Sequence, residues 1–275
     1  MEDFKCLIQG IDGAEGPCVS RDGRLFMVGP SEGRIIEVLP DGDSFDLANT
    51  GGIPAGLQID RNNDLWLADM KLGIFRIGMD GMIYPEVTSF EDEPIRGCND
   101  CYFDSAGNLY WTAPAGSSGD KPIGEVYCRL TDGTVRRLDS GYAFSNGLAV
   151  TADDKTLIVA ETFTKRLYAF DIVEPGVVTN KRIWAVLPGD KQGGPDGIDF
   201  DASGRLLATH FGSSAIEIFE PDGTHARSIE LPFEQVTNVH WTGPDSTTII
   251  ITEMSNGGLW QYEYGERGQL QFGLG

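Results

Sequence analysis

Gly193-Gly194-Pro195-Asp196-Gly197-Ile198-Asp199-Phe200-Asp201 is a glycine-rich approach to a short apolar run. Weaker copies of it open successive units of the chain. The position of Asp196 is held in the other copies by Glu15 (Ala-Glu-Gly-Pro), Ala55 (Pro-Ala-Gly-Leu), Asn99 (Cys-Asn-Asp-Cys), Asn146 (Ser-Asn-Gly-Leu) and Asn238 (Thr-Asn-Val-His). Successive markers lie 40, 44, 47, 50 and 42 residues apart, and five of the six carry a side-chain oxygen.

Each interval repeats one pattern of four short apolar strands separated by turns. The second unit shows it in Gly56-Leu57-Gln58-Ile59-Asp60, then Asp64-Leu65-Trp66-Leu67-Ala68, then Gly73-Ile74-Phe75-Arg76-Ile77, ending at Asp80-Gly81. Alternation of apolar and polar residues over such runs is a strand signal. Asp-Gly pairs recur at Asp41-Gly42, Asp132-Gly133 and Asp222-Gly223, where glycine supplies the positive φ of a tight hairpin. Four strands per 40–50 residues, repeated six times, predict a six-bladed β-propeller, all-β and a single domain over residues 1–275. The segment Phe4-Lys5-Cys6-Leu7-Ile8 precedes the first marker and is expected to close the ring as the outer strand of the last blade, hiding an edge. The tail from Glu266 to Phe272 reads either as a further strand or as a frayed end.

Composition narrows the partners. A formal charge of −21 repels phosphate backbones and anionic membranes, so neither nucleic acid nor membrane is expected. No apolar run approaches the ~20 residues of a membrane span. Met1-Glu2-Asp3-Phe4-Lys5 lacks the pattern of a secretory signal, and a cytoplasmic monomer is the expectation. Five scattered cysteines give no disulfide framework. Cys98 and Cys101 have C-x-x-C spacing, but no second such pair exists to complete a zinc site, and they are read as structural.

The first strand of a propeller blade lines the central channel, so Glu15, Asn99, Asn146 and Asp196 should converge at one mouth. Two carboxylates and two amide oxygens, without Cys or His, are hard ligands suited to Ca²⁺ and less well to Mg²⁺. Asn and Asp beside glycine also form turns, which accounts for any one marker. It does not account for buried carboxylates meeting from different blades, which repel unless a cation sits between them. Asp199 and His240 should point into the channel at similar depth. They could hold a second, structural cation with a carbonyl such as that of Val239, or form a His–Asp hydrogen bond without metal.

Together with these markers, Gly51-Gly52-Ile53-Pro54-Ala55-Gly56, Ala68-Asp69-Met70, Gly97-Cys98-Asn99-Asp100-Cys101, Ala113-Pro114-Ala115-Gly116, Ala160-Glu161-Thr162 and Gly212-Ser213-Ser214 carry a family resemblance over nearly the whole chain. The chain resembles the calcium-dependent diisopropyl fluorophosphatases, within the wider regucalcin and gluconolactonase family. The resemblance implies a catalytic Ca²⁺ held by Glu15, Asn99, Asn146 and Asp196, and a structural Ca²⁺ held by Asp199, the Val239 carbonyl and His240. It implies a pocket above the first ion formed by Ile53, Met70, Phe144, Thr162, Phe211 and Thr237. Met254 stands where that family has a histidine, Phe211 where it has a tryptophan, and the loop after Gly116 is shorter. His210 has no counterpart role in the resemblance.

The expected function is calcium-dependent hydrolysis of phosphotriester or fluorophosphate bonds, with Asp196 or a water at the ion as nucleophile. A calcium-dependent lactonase with phosphotriesterase side activity and a non-catalytic calcium-binding propeller are the alternatives. The mostly apolar wall suits a small neutral ester, phosphotriester or lactone better than a sugar polyol.

Overall fold

The computed structural model describes residues 4–114 and 116–275; Met1, Glu2, Asp3 and the Ala115 of the 113–116 motif lie outside the described residues. Each unit folds into a four-stranded antiparallel sheet, and six such sheets form the ring. Their channel-side strands are Glu15–Val19, Pro54–Ile59, Cys101–Phe103, Ser145–Val150, Gly194–Phe200 and Val236–Trp241. Neighbouring inner strands touch around the ring, the last meeting the first. The ring closes as the sequence predicts: Phe4–Ile8 is the outermost strand of the sixth blade, with Phe4 opposite Tyr262 and Cys6 opposite Trp260.

Burial follows from this geometry. Gly194–Phe200 is buried at every position because the strand has blades on both faces and the channel beside it. The outer strand Val177–Val186 is mostly exposed. Apolar residues of adjacent blades interleave, as where Leu148 and Ile158 of the fourth blade pack in one cluster with Ile198, Phe200 and Leu206 of the fifth. Cys18, Cys98, Cys101 and Cys128 are buried free thiols, and burial pushes the thiol of Cys18 up to about 12. A thiol held protonated by burial in this way is a poor nucleophile. Among the described residues no helix is long and apolar enough to cross a membrane.

Two local devices aim the marker residues. In five blades the pairing of the inner strand with its neighbour slips beside the marker, between Glu15 and Cys18, Pro54 and Gly56, Ser145 and Leu148, Pro195 and Ile198, and Val236 and Asn238. Such bulges bend a strand and re-aim one side chain, here toward the channel. The second device is the glycine after the marker. A Cβ on Gly147 would lie 2.3 Å from the Asp196 carbonyl oxygen of the next blade and 2.8 Å from the Ile198 nitrogen. Glycine is what lets successive inner strands come this close. Gly147→Ala is therefore expected to cost about 3 kcal/mol, since backbone must move to admit the methyl. Denaturant titration tests it: a midpoint equal to wild type would refute the close-approach argument.

Two features depart from the repeat. A small hairpin, Ser89–Phe90 with Glu93–Pro94, is inserted between the second and third blades. The C-terminal tail is neither a strand nor a frayed end. It folds across the channel end opposite the markers, making one isolated bridge between Asp201 and Gly268.

Candidate active site

The starts of four inner strands bring Glu15, Asn99, Asn146 and Asp196 together at the floor of a cavity of about 590 Å³. Asn146 and Asp196 are nearly fully buried, at 4% and 7% exposure. Hydrogen-bond logic orients Asn146. The Thr162 hydroxyl spends its single proton on the Pro195 carbonyl at 2.8 Å, so it can only accept from the Asn146 Nδ2 at 3.1 Å. The Oδ1 of Asn146 is thereby turned away from Thr162 and left available. Glu15 is held from below, its Oε2 accepting from the Asn238 Nδ2 and its own neighbour's Gly16 nitrogen, each at 3.3 Å. Among the described residues Asp196 has no comparable backbone donor, and the Asn146 amide is the side chain that favours its charged form.

No Lys, Arg or His lines this cavity among the described residues. Burial pushes the Glu15 carboxyl up to about 8, against the opposing hydrogen bond from Asn238 and with help from the Asp100 charge. Burial, then the charge of Glu15, raises Asp196 well above the usual carboxylate range. Asp100, directly after Asn99, is pushed up to about 7, again chiefly by burial. Buried acids without a counter-charge, beside two amide oxygens, form an oxygen donor set that fits a hard divalent cation. The set has only two carboxylates, and no group of three or more His, Cys, Asp or Glu with metal-ligand geometry occurs among the described residues.

A pH prediction follows from the sign of these shifts. The folded cation-free chain holds protons on Glu15 up to about 8, whereas the unfolded chain releases them near the ordinary 4.5. That contribution to stability is full below the unfolded value and is lost as pH rises through 8. Chelated protein should melt higher at pH 6 than at pH 8, and calcium uptake at pH 7 should release protons. Calorimetry in buffers of different ionisation enthalpy measures the release; no proton release at pH 7 would refute the placement of both acids in one cation site.

Deeper in the channel, His240 Nδ1 lies 3.0 Å from Asp199 Oδ2, while the Asp199 Oδ1 accepts from the Phe200 nitrogen at 2.9 Å. Asp199, Val239, His240 and Asp100 border a cavity of about 10 Å³, room for one water-sized sphere. A carboxylate, an imidazole and a strand beside a space of that size fit a second small cation.

Met70, Phe144, Thr162, Phe211 and Met254 line the main cavity. Ile53 and Thr237 do not. Ile53 lies 41% exposed outside it, and Thr237 is fully buried between blades, its hydroxyl 2.9 Å from the Ala14 carbonyl and from the Thr252 hydroxyl. Phe163, Gln192 and Pro30 line the cavity without having been foreseen. Pro30 and Phe163 sit in single 3-10 turns between strands and Gln192 in a loop, where the repeat carries no signal. Phe144 adopts the left-handed φ of 71°, rare for a bulky residue, because its nitrogen donates to Ser117 Oγ at 3.0 Å and its carbonyl accepts from Thr162 at 3.0 Å. Its ring meets Phe163 edge to face at 5.7 Å. His210 is buried away from the cavity, its Nδ1 3.1 Å from Glu217.

The family described as SMP-30/Gluconolactonase/LRE-like region matches residues 13–255. The diisopropyl-fluorophosphatase of Loligo vulgaris is 38% identical over 298 aligned positions, covering 98% of this chain and 94% of that protein. A pentonolactonase of Haloferax volcanii is 30% identical over 250 positions, covering 89% and 82%. Among solved structures, a gluconolactonase from Xanthomonas campestris superposes with a TM-score of 0.83 at 22% identity, over 96% of this chain and 89% of its own. A regucalcin from Agrobacterium tumefaciens gives 0.81 at 20% identity, over 98% and 96%. The two structures share the fold. Matched from before its first marker to the last blade, the chain belongs to the SMP-30/gluconolactonase/LRE-like family of propellers.

Proposed function

We propose that the protein is a calcium-dependent hydrolase of small neutral phosphotriesters and fluorophosphates. The observation that carries this reading is the pair of acids, half-buried Glu15 and buried Asp196, at the floor of an apolar cavity with no cationic side chain among the described residues. Glu15, Asn99, Asn146 and Asp196 would hold the catalytic ion, and Asp199, the Val239 carbonyl and His240 a structural one. Bound there, calcium supplies Lewis-acid polarisation of a phosphoryl or carbonyl oxygen.

The chain's own residues divide the remaining work. Phe144, Phe211, Met70 and Met254 exclude water and take the substrate's apolar groups. Thr162 fixes the amide of Asn146. Asp196 is the nucleophile: Glu15 is tied by Asn238 and Gly16, whereas Asp196, among the described residues, has only the Asn146 amide beside it to ease its charge. Its carboxylate oxygen bonds to phosphorus as fluoride, or an alkoxide that then takes a proton from water, leaves with the bond pair; water then adds at the carboxylate carbon of the mixed anhydride, the phosphate departs with the C–O bond pair, and the carboxylate is restored with one water oxygen. Met254 lies at the cavity edge and has no basic atom, so it takes no part in proton transfer.

The 30% identity to a pentonolactonase favours one further reading, a lactonase with the same ion site and phosphotriester hydrolysis as a side activity. Incubation with a fluorophosphate and with a panel of sugar and alkyl lactones, each with and without chelator, distinguishes them. Chelator-sensitive fluoride release faster than any lactone opening is expected. Preferred lactone opening would select the lactonase, and no turnover of either would leave a binding propeller.

A further inference from the structure

Residues 266–275 cross the end of the channel opposite the cavity and are anchored to several blades. The Gln269 nitrogen donates to the Phe200 carbonyl at 2.8 Å and its side-chain amide to the Val150 carbonyl at 2.8 Å. Phe272 packs on Phe103 with ring centroids 5.0 Å apart and lies 4.5 Å from the Arg61 guanidinium. Between these anchors Gln271, only 7% exposed, aims its amide at the Asp199 and His240 pair. Its Nε2 is 2.9 Å from Asp199 Oδ2 and 3.3 Å from His240 Nδ1. Its Oε1 is buried and has no hydrogen-bond partner among the described residues.

Asp199 Oδ2, His240 Nδ1 and the Gln271 amide thus form a triangle with edges of 3.0, 2.9 and 3.3 Å. Ligands about 2.4 Å from Ca²⁺ in a pentagonal bipyramid subtend roughly 72–90° and so lie about 2.8–3.4 Å from one another. The triangle has the size of one face of such a shell. A half-turn of the amide exchanges its nitrogen and oxygen with almost no change of shape, placing a hard carbonyl oxygen at the third corner. Without a cation the oxygen is left as an unmatched buried acceptor, which folded proteins rarely carry without a reason.

We infer that Gln271 is a ligand of the second calcium ion, so that the C-terminal tail completes that site and the ion fastens the tail. This rests on the proposed cation site at Asp199 and His240. The tail then closes the ring a second time, independently of the N-terminal strand.

Gln271→Leu and Gln271→Glu in the full chain test it, by calcium content after gel filtration in micromolar calcium and by hydrogen exchange of residues 266–275. Two ions per chain are expected for wild type, one for Gln271→Leu, and two for Gln271→Glu, whose carboxylate replaces the amide oxygen. Exchange in the tail should rise at least tenfold in wild type on chelation, and equally in Gln271→Leu without chelator. Two ions and a protected tail in Gln271→Leu would overturn the inference while leaving the second site standing. At most one ion in wild type would remove the site itself. If Gln271 serves only as a donor to Asp199, Gln271→Leu keeps the second ion at wild-type affinity, which also overturns the inference. Should Gln271→Leu fail to fold, Gln271→Glu decides alone: two ions and a protected tail support the ligand role, and anything less overturns it.

Discussion

Asp196→Asn is expected to lower turnover of a fluorophosphate by roughly 10²-fold or more while calcium stays bound. The substitution keeps an oxygen at the same reach from the same inner strand, and the amide carries no charge, so it relieves repulsion from Glu15 and leaves the fold intact. What it removes is a nucleophile. The companion measurement is a single turnover in ¹⁸O water. Attack by Asp196 transfers one of its own oxygens to the first product, and the label enters the carboxylate. Attack by water puts the label directly into the product. Label confined to product after one turnover would refute Asp196 as nucleophile, and an Asn variant with wild-type turnover would remove it from the chemistry altogether.

Excess chelator should abolish hydrolysis and lower the melting temperature by roughly 10 °C. An ion present at about a thousand times its dissociation constant stabilises the folded chain by ~4 kcal/mol, and each kcal/mol is worth roughly 2–4 °C in a domain of this size. The physical source is the pair of acids: without the ion, Glu15 and Asp196 must take up protons or repel. His240→Asn separates the two sites, because it touches the Asp199 pair and not the cavity floor. It should lower the melting temperature while keeping most of the turnover. An unchanged melt in excess chelator, with no calcium in the purified protein, would overturn the cation reading. Full thermal stability with no turnover in His240→Asn would reverse the roles of the two sites.

The ring of six blades, its closure by Phe4–Ile8 and the convergence of Glu15, Asn99, Asn146 and Asp196 were legible in the sequence. The reason is that a repeat of 40–50 residues places equivalent positions at equivalent points of the ring, so one-dimensional spacing becomes three-dimensional position. What escaped it lies outside the repeat. Phe163 and Gln192 reach the cavity from a 3-10 turn and a loop between strands, and Thr237, alike in type to Thr162, is instead spent on Ala14 and Thr252 between blades. The bulges beside five of the six markers depend on how one strand slips against its neighbour. Gln271 meets Asp199, 72 positions earlier in the chain, only because the tail folds across the channel end. Local pattern determined which residues repeat; contacts between distant blades and the tail, where burial and hydrogen bonding are settled jointly, decided which of them face the cavity and which ones hold the ring together.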